Sequence, residues 1–241
     1  MIKILRSELY KFLGVASLVT WVIGAGCEKN DQASSNKALM AVTNVAPDAK
    51  PFNIFLGGTN LTPGGKLPYG STTGSQGNPY LTGVAGVNNF QAVPDSAAPY
   101  VTGNINLLIN NNYSVFIFDT VSAGQLKSLV MQDNLNAPAT SNSGIRFLNF
   151  SFDTVGLVPI IGTDTLGLYS IPYAGTIEDP TAVSVFQNFL SGTYQIIIVI
   201  GTNIVGIDSI SFSPGKNYTL FSMPDSVDPT GPPVLRTIQH N

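Results

Sequence analysis

Residues 41–48 (AVTNVAPD) return as residues 146–153 (RFLNFSFD), so that Asn44 falls on Asn149 and Asp48 on Asp153, each 105 positions on. The same shift carries Gly57 onto Gly162, Ile105 onto Ile210, and Asn112-Tyr113-Ser114 onto Asn217-Tyr218-Thr219. Leu67-Pro68-Tyr69 meets Ile171-Pro172-Tyr173 with a one-residue slip, and residues 130–134 meet residues 237–241. An internal repeat constrains the fold more than any local pattern, because both copies must satisfy one architecture. A unit of about 100 residues is an ordinary domain size. The spacing predicts two domains, 38–136 and 143–241, with a Pro/Ser/Asn seam over 135–142. Each is long enough for a core of its own, so two independent folding units are expected.

Within each unit the periodicity is that of strands. Residues 112–118 (NYSVFIF) are β-branched and aromatic, and residues 52–56 (FNIFL) run into the turn pair Gly57-Gly58. Residues 194–200 (YQIIIVI) are almost wholly apolar, which predicts a central strand or one buried on both faces. Ile210, Phe212, Tyr218, Leu220 and Phe221 predict a strand pair around the turn Ser213-Pro214-Gly215-Lys216. No apolar stripe at helical spacing persists for three turns beyond the N-terminal segment. The fold class expected is all-β: two tandem immunoglobulin-like antiparallel β-sandwiches, each of about seven strands, after an N-terminal signal peptide.

That N-terminal segment opens with Lys3, Arg6 and Lys11, then continues as fifteen uncharged residues over 12–26 (FLGVASLVTWVIGAG). Fifteen is short for a bilayer span, which takes about 20. A basic start, a short apolar core and small residues at its end describe a secretory signal peptide. The small residues lead into the only cysteine, as Gly24-Ala25-Gly26-Cys27, which resembles a bacterial lipobox. A single cysteine in an exported chain has no internal disulfide partner, and lipidation gives Cys27 a role. Residues 1–26 are thus read as a lipoprotein signal peptide and 27–37 as a flexible polar tether. The expected location is the bacterial cell envelope, lipid-anchored at the outer membrane or cell surface.

Asn44-Val45-Ala46-Pro47-Asp48-Ala49, Leu67-Pro68-Tyr69-Gly70 and Tyr113-Ser114-Val115-Phe116-Ile117-Phe118-Asp119 resemble the motifs of an extracellular family called domain of unknown function 4397. Ser191-Gly192-Thr193-Tyr194 resembles a third motif of that family, and Val84-Ala85-Gly86 does so weakly. The likeness runs over about 38–241. The second copy has Ser151-Phe152-Asp153 where the pattern has Ser-Pro-Asp, and Asn53 and Val158 stand where the pattern has a strand aspartate. The resemblance implies an exported β-sandwich lipoprotein and no activity.

Composition excludes several chemistries. Net charge is −3 with only 10% charged residues, so nothing offers a basic footprint to nucleic acid. The one histidine, His240, is penultimate in the sequence, and a Ser-His-Asp or Cys-His arrangement needs a firmly held imidazole. Zinc sites need several His or Cys ligands. Asp225 and Asp228 lie close together without EF-hand spacing. The expectation is a non-enzyme with no cofactor and no metal, acting as a surface spacer, binding or adhesion module. Its partners would be the membrane, through the lipid, and a glycan or envelope-protein ligand. The alternative is a carbohydrate-binding or glycosidase-like surface protein. Tyr69, Tyr80, Tyr100 and Tyr173, in Pro/Gly-rich segments, could then stack sugars, or could simply cover sandwich edges.

Six aspartates precede a hydroxyl residue and then an aliphatic one, giving Ser96, Thr120, Thr154, Thr165, Ser209 and Ser226 as candidate acceptors. The pattern resembles a bacterial O-glycosylation motif, and reads equally as turn chemistry before a strand. Thr120, Ser226 and Thr154 are expected in loops, and Ser209 at a less accessible strand start.

Overall fold

The computed structural model describes residues 36–95, 98–124, 126–151, 158–161, 164–165, 171–200, 202–225, 228 and 231–241. The segment read as a signal peptide, Cys27 and most of the segment read as a tether lie outside them. Among the described residues, 36–241 form one compact unit. Its first half holds β1 (Lys37–Asn44), β2 (Phe52–Leu56), β3 (Thr59–Asn60), β4 (Leu81–Val84), β5 (Gly86–Pro94), β6 (Val101–Leu107), β7 (Asn112–Phe118) and β8 (Lys127–Asp133). The second holds β9 (Asn142–Asn149), β10 (Val158–Ile161), β11 (Asp164–Thr165), β12 (Gln187–Leu190), β13 (Gly192–Ile200), β14 (Asn203–Phe212), β15 (Asn217–Met223) and β16 (Val234–Gln239). One short helix, α1 (Thr181–Ser184), precedes β12.

The strands form four sheets. In the first half the orders are β3-β2-β5-β6 and β4-β1-β7-β8; in the second they are β11-β10-β13-β14 and β12-β9-β15-β16. Strand for strand, the second half repeats the order of the first. Among the described residues the count is eight per half rather than seven, the extra ones being two-residue strands, β3 and β11. Pairing is antiparallel except at β1/β7 and β9/β15, which run parallel.

The expected strand pair around Ser213–Lys216 is not formed. Instead β14 pairs with β13, and β15 pairs with β9 and β16. The turn carries the chain from one sheet to another, with Gly215 at φ +72°. The Tyr218 hydroxyl accepts the Ser213 N–H across it. β13 is central in its sheet, yet among its described side chains only Ile196 and Ile198 are buried, and Ile197 and Val199 are half-buried.

The strands buried on both faces are others: β7, β9 and β15, along nearly their whole length. Alternate residues of a strand face opposite sides. On β7, Tyr113, Val115 and Ile117 join Phe52, Ile54 and Phe90 in the core of the first half. On β15, Tyr218 and Leu220 join Ile145, Ile196 and Ile198 in the core of the second. The opposite faces of the same strands meet each other. Phe116, Phe118, Leu129 and Met131 of the first half pack on Leu148, Phe150, Phe221 and Met223 of the second. The Phe116 and Phe150 rings stack at 4.9 Å, with Phe221 edge-on to Phe116 at 5.5 Å. The described residues of 36–241 are therefore a stack of four sheets with three apolar layers. Each half has a core of its own, and a third core belongs to both.

Candidate functional site

The shared layer ends in a rung of polar side chains. Ser114 on β7, Asp133 on β8, Arg146 on β9, Thr219 on β15 and His240 after β16 are all buried. They stand one step along their strands from the apolar contacts just described. Arg146 Nη1 lies 2.7 Å from Asp133 Oδ1, its Nη2 donates to Ser114 Oγ at 2.9 Å, and its Nε donates to Thr219 Oγ1 at 2.8 Å. Ser114 and Tyr80 both donate to Asp133 Oδ2, at 2.8 and 2.7 Å. Phe186 covers the guanidinium, with Cζ 4.5 Å from the ring centre.

The hydrogens of this ring of contacts have one consistent arrangement. Tyr80 spends its single O–H on Asp133, so His240 Nδ1, 2.7 Å away, must donate to the phenol oxygen. His240 Nε2 then accepts from the Thr219 hydroxyl, also at 2.7 Å. Such an imidazole is neutral, and burial holds its pKa down at about 4 against the pull of Asp133. Burial also pushes the Tyr80 phenol far up, reinforced by Asp133. Burial pushes the Asp133 carboxyl up, but Arg146, His240 and the two hydroxyls outweigh it and its pKa is lowered. Both imidazole nitrogens are spoken for inside the protein. Sequence reasoning passed over this cluster; the signal was Arg146, a lone charge inside the apolar run Ile145-Arg146-Phe147-Leu148.

The four tyrosines considered as sugar platforms are all engaged. Tyr80 belongs to the polar rung. Tyr100 stands edge-on to Phe52 at 6.1 Å and its hydroxyl accepts the Lys50 N–H. Tyr69 and Tyr173 pack against the shared core. Tyr69 donates its hydroxyl to the Pro224 carbonyl beyond β15, and Tyr173 stands edge-on to Phe118 at the end of β7. These two are repeat partners, and each reaches into the opposite half. Burial, then Asp225 for Tyr69 and Asp119 for Tyr173, pushes both phenols up.

Of the Asp-Ser/Thr acceptors, Ser96, Thr154 and Ser226 lie outside the described residues, and Thr165 is placed only as part of β11. Thr120 is half-buried and follows Asp119, whose φ of +80° ends β7. Ser209 is exposed within β14, contrary to the shielding expected of it, because β14 is an edge strand with its outer face in solvent. In both described copies the aspartate Oδ1 accepts the N–H of the next residue, at 3.0 Å for Thr120 and 2.8 Å for Ser209.

Two open grooves flank the shared layer. One, of about 290 Å³, runs between residues 70–76 and the β16 residues Arg236, Thr237 and Ile238. The other, of about 470 Å³, runs between the β8 residues Lys127–Val130 and Ala174, Gly175, Ile177 and Pro180. Each sets a strand of one half against the loop after the Pro-Tyr pair of the other. Among the described residues no three of His, Cys, Asp and Glu gather as a metal would need, and no helix is long and apolar enough to cross a membrane.

The sequence motifs near each repeat start do structural work. Asn44 accepts the Ala46 N–H at 3.1 Å and donates to the Leu67 carbonyl at 3.2 Å. Asn149 accepts the Ser151 N–H at 2.9 Å and donates to the Ile171 carbonyl at 3.2 Å. Asp48 accepts the N–H groups of Val121 and Ser122, closing the 3-10 turn Val121–Ala123 after β7. Residues 38–157 match the family model for a domain of unknown function, DUF4397. A search of curated proteins finds no match. The DUF4397 match takes in all eight strands of the first half and β9 of the second, so it includes Asp133 and its partner Arg146. Within the matched segment, Asn53 accepts a hydrogen bond from the Thr62 hydroxyl at 3.3 Å.

Proposed function

We propose that the protein is a bacterial cell-envelope lipoprotein, lipidated on Cys27. Two tandem immunoglobulin-like sandwiches, held on a short polar tether, act as a non-catalytic spacer or binding module at the outer membrane or cell surface. The observation that carries this reading is the lone cysteine, set where a charge-free, small-residue segment gives way to a polar one. The matching strand orders of the two halves support the tandem reading. The single imidazole, closed into a hydrogen-bonded ring, supports a non-catalytic one. The engaged tyrosines count against the sugar-stacking alternative.

Acyl labelling in a bacterial host tests the anchor: Cys27→Ala is expected to abolish label and leave a full-length precursor. Label unchanged in the variant would overturn it. For the acceptor motif, exposed Ser209 and half-exposed Thr120 are the described hydroxyls within reach of a transferase. Intact-mass analysis of protein from its native envelope is expected to show sugar mass beyond peptide and lipid; its absence leaves the motif as local backbone chemistry.

A further inference from the structure

The two sandwiches present the same corner twice, with different surfaces. In the first half, the Ala85 N–H donates to the Asn36 carbonyl, the Asn110 N–H donates to the Lys37 carbonyl, and Val84 pairs with Lys37. This gathers the start of β1, the β4–β5 junction and the β6–β7 turn. Four apolar side chains stand out from it: Val84 at 58% exposure, Val87 at 71%, and Leu108 and Ile109 at 52% each. Their neighbours are Asn88, Asn106, Asn110 and Asn111, and the one charge among them is Lys37.

The second half builds its corner with the same bonds. The Ser191 N–H donates to the Ser141 carbonyl and the Gly215 N–H to the Asn142 carbonyl. The N–H of Leu108 or Ser213 donates to the hydroxyl of Tyr113 or Tyr218, which fixes the alignment. Leu190 keeps the place of Val84, but Thr193, Ser213 and Pro214 replace Val87, Leu108 and Ile109. The backbone therefore does not demand apolar residues there. The corners differ in their place in the sequence. The second follows the seam between the halves; the first begins at Asn36, nine positions after Cys27.

Resting on the lipoprotein reading, we propose that the Val84/Val87/Leu108/Ile109 corner docks on the lipid bilayer surface that holds the Cys27 acyl chains. Eight tether residues reach at most about 30 Å fully extended, and about 14–17 Å as a flexible coil. The corner is thus kept within one tether length of the headgroups. Apolar side chains that would be solvent-exposed sink into the headgroup boundary, and Lys37 supplies a positive charge beside them for anionic lipid. Docking fixes the body with the start of β1 toward the membrane.

The test uses the full chain, processed in a bacterial host and reconstituted in vesicles of phosphatidylethanolamine and phosphatidylglycerol. With Cys27 acylated, Val87→Cys or Ile109→Cys supplies the single free thiol for an environment-sensitive fluorophore, and Lys66→Cys serves as a distant control. Emission is expected to shift to the blue at 87 and 109 on reconstitution and to stay unchanged at 66. Leu108→Asn with Val84→Ser is expected to remove the shift. Acylated protein with no shift at 87 and 109 overturns docking while the anchor stands. A shift already present without lipid means a second copy covers the corner, which also overturns it. If intact mass shows no acyl group, the anchor reading fails, and the chain from Cys27 onward, which lacks Trp21, coupled through the Cys27 thiol to a maleimide lipid still decides docking, by the blue shift of Trp emission in Ile109→Trp.

Discussion

At the scale of single residues, His240 and its neighbours make an acid-sensitive joint. The imidazole is neutral when folded, with its pKa lowered to about 4 from an ordinary 6.5. The unfolded chain therefore binds a proton between these values that the folded chain refuses. Stability is complete above about pH 6.5 and falls as pH drops toward 4, by about 3 kcal/mol at one pKa unit per 1.4 kcal/mol. Asp133, lowered in the fold, adds a further loss once pH falls below its ordinary 3.8. Urea unfolding across pH 7 to 4 is expected to show this slope in the native chain and a flatter one in His240→Gln. Equal slopes would refute the wiring. The ion pair beside it predicts a larger effect at neutral pH. Asp133→Asn leaves the Arg146 guanidinium buried without its counter-charge, an imbalance worth about 3–5 kcal/mol. A double-mutant cycle with Arg146→Ala is expected to give a coupling of about 2 kcal/mol or more.

At the scale of elements, the repeat motif acts as a clasp from the end of one strand to the Pro-Tyr loop. Its two copies are loaded unequally. Asn44 holds one N–H and one carbonyl; Asn149 holds the same pair and also accepts the Ser222 hydroxyl of β15 at 3.0 Å. Each buried group left unsatisfied costs about 1–3 kcal/mol. Asn149→Ala is expected to lower the unfolding midpoint further than Asn44→Ala; the reverse order, measured by thermal denaturation, would contradict the clasp. Strand positions were largely legible in sequence: β2 and β7 begin and end where alternation and turn residues place them. What period-2 patterning could not show was the far face of β7, β9 and β15. Ser114, Arg146 and Thr219 look like solvent-side residues of a half-buried sheet, and only the opposite half makes them interior. His240 was hidden for the same reason, since its partners lie 21 and 160 residues away.

At the scale of the whole molecule, the shared layer changes what the repeat means for folding. Two copies of one sequence unit suggested two independent domains, yet the described residues form one compact unit with an aromatic core between the halves. That core is not interchangeable. Asp133 and His240 occupy matching places in the two halves, as do Ala41 and Arg146. Pairing the first half with itself would oppose two aspartates to no arginine, and pairing the second with itself would bury two arginines with no carboxylate. The polar rung thus favours first-with-second over either like pair. A protease site inserted between Ala139 and Thr140, in the exposed seam, offers a test. After cleavage the halves are expected to co-elute in size-exclusion chromatography and to melt in one transition. Phe116→Ala with Phe150→Ala removes the stacked rings at the centre of the layer, at about 3–5 kcal/mol for each phenylalanine. In that variant the cut halves are expected to separate. Native halves that part on cleavage, or that melt in two steps before it, would show that the layer adds contact without cooperation.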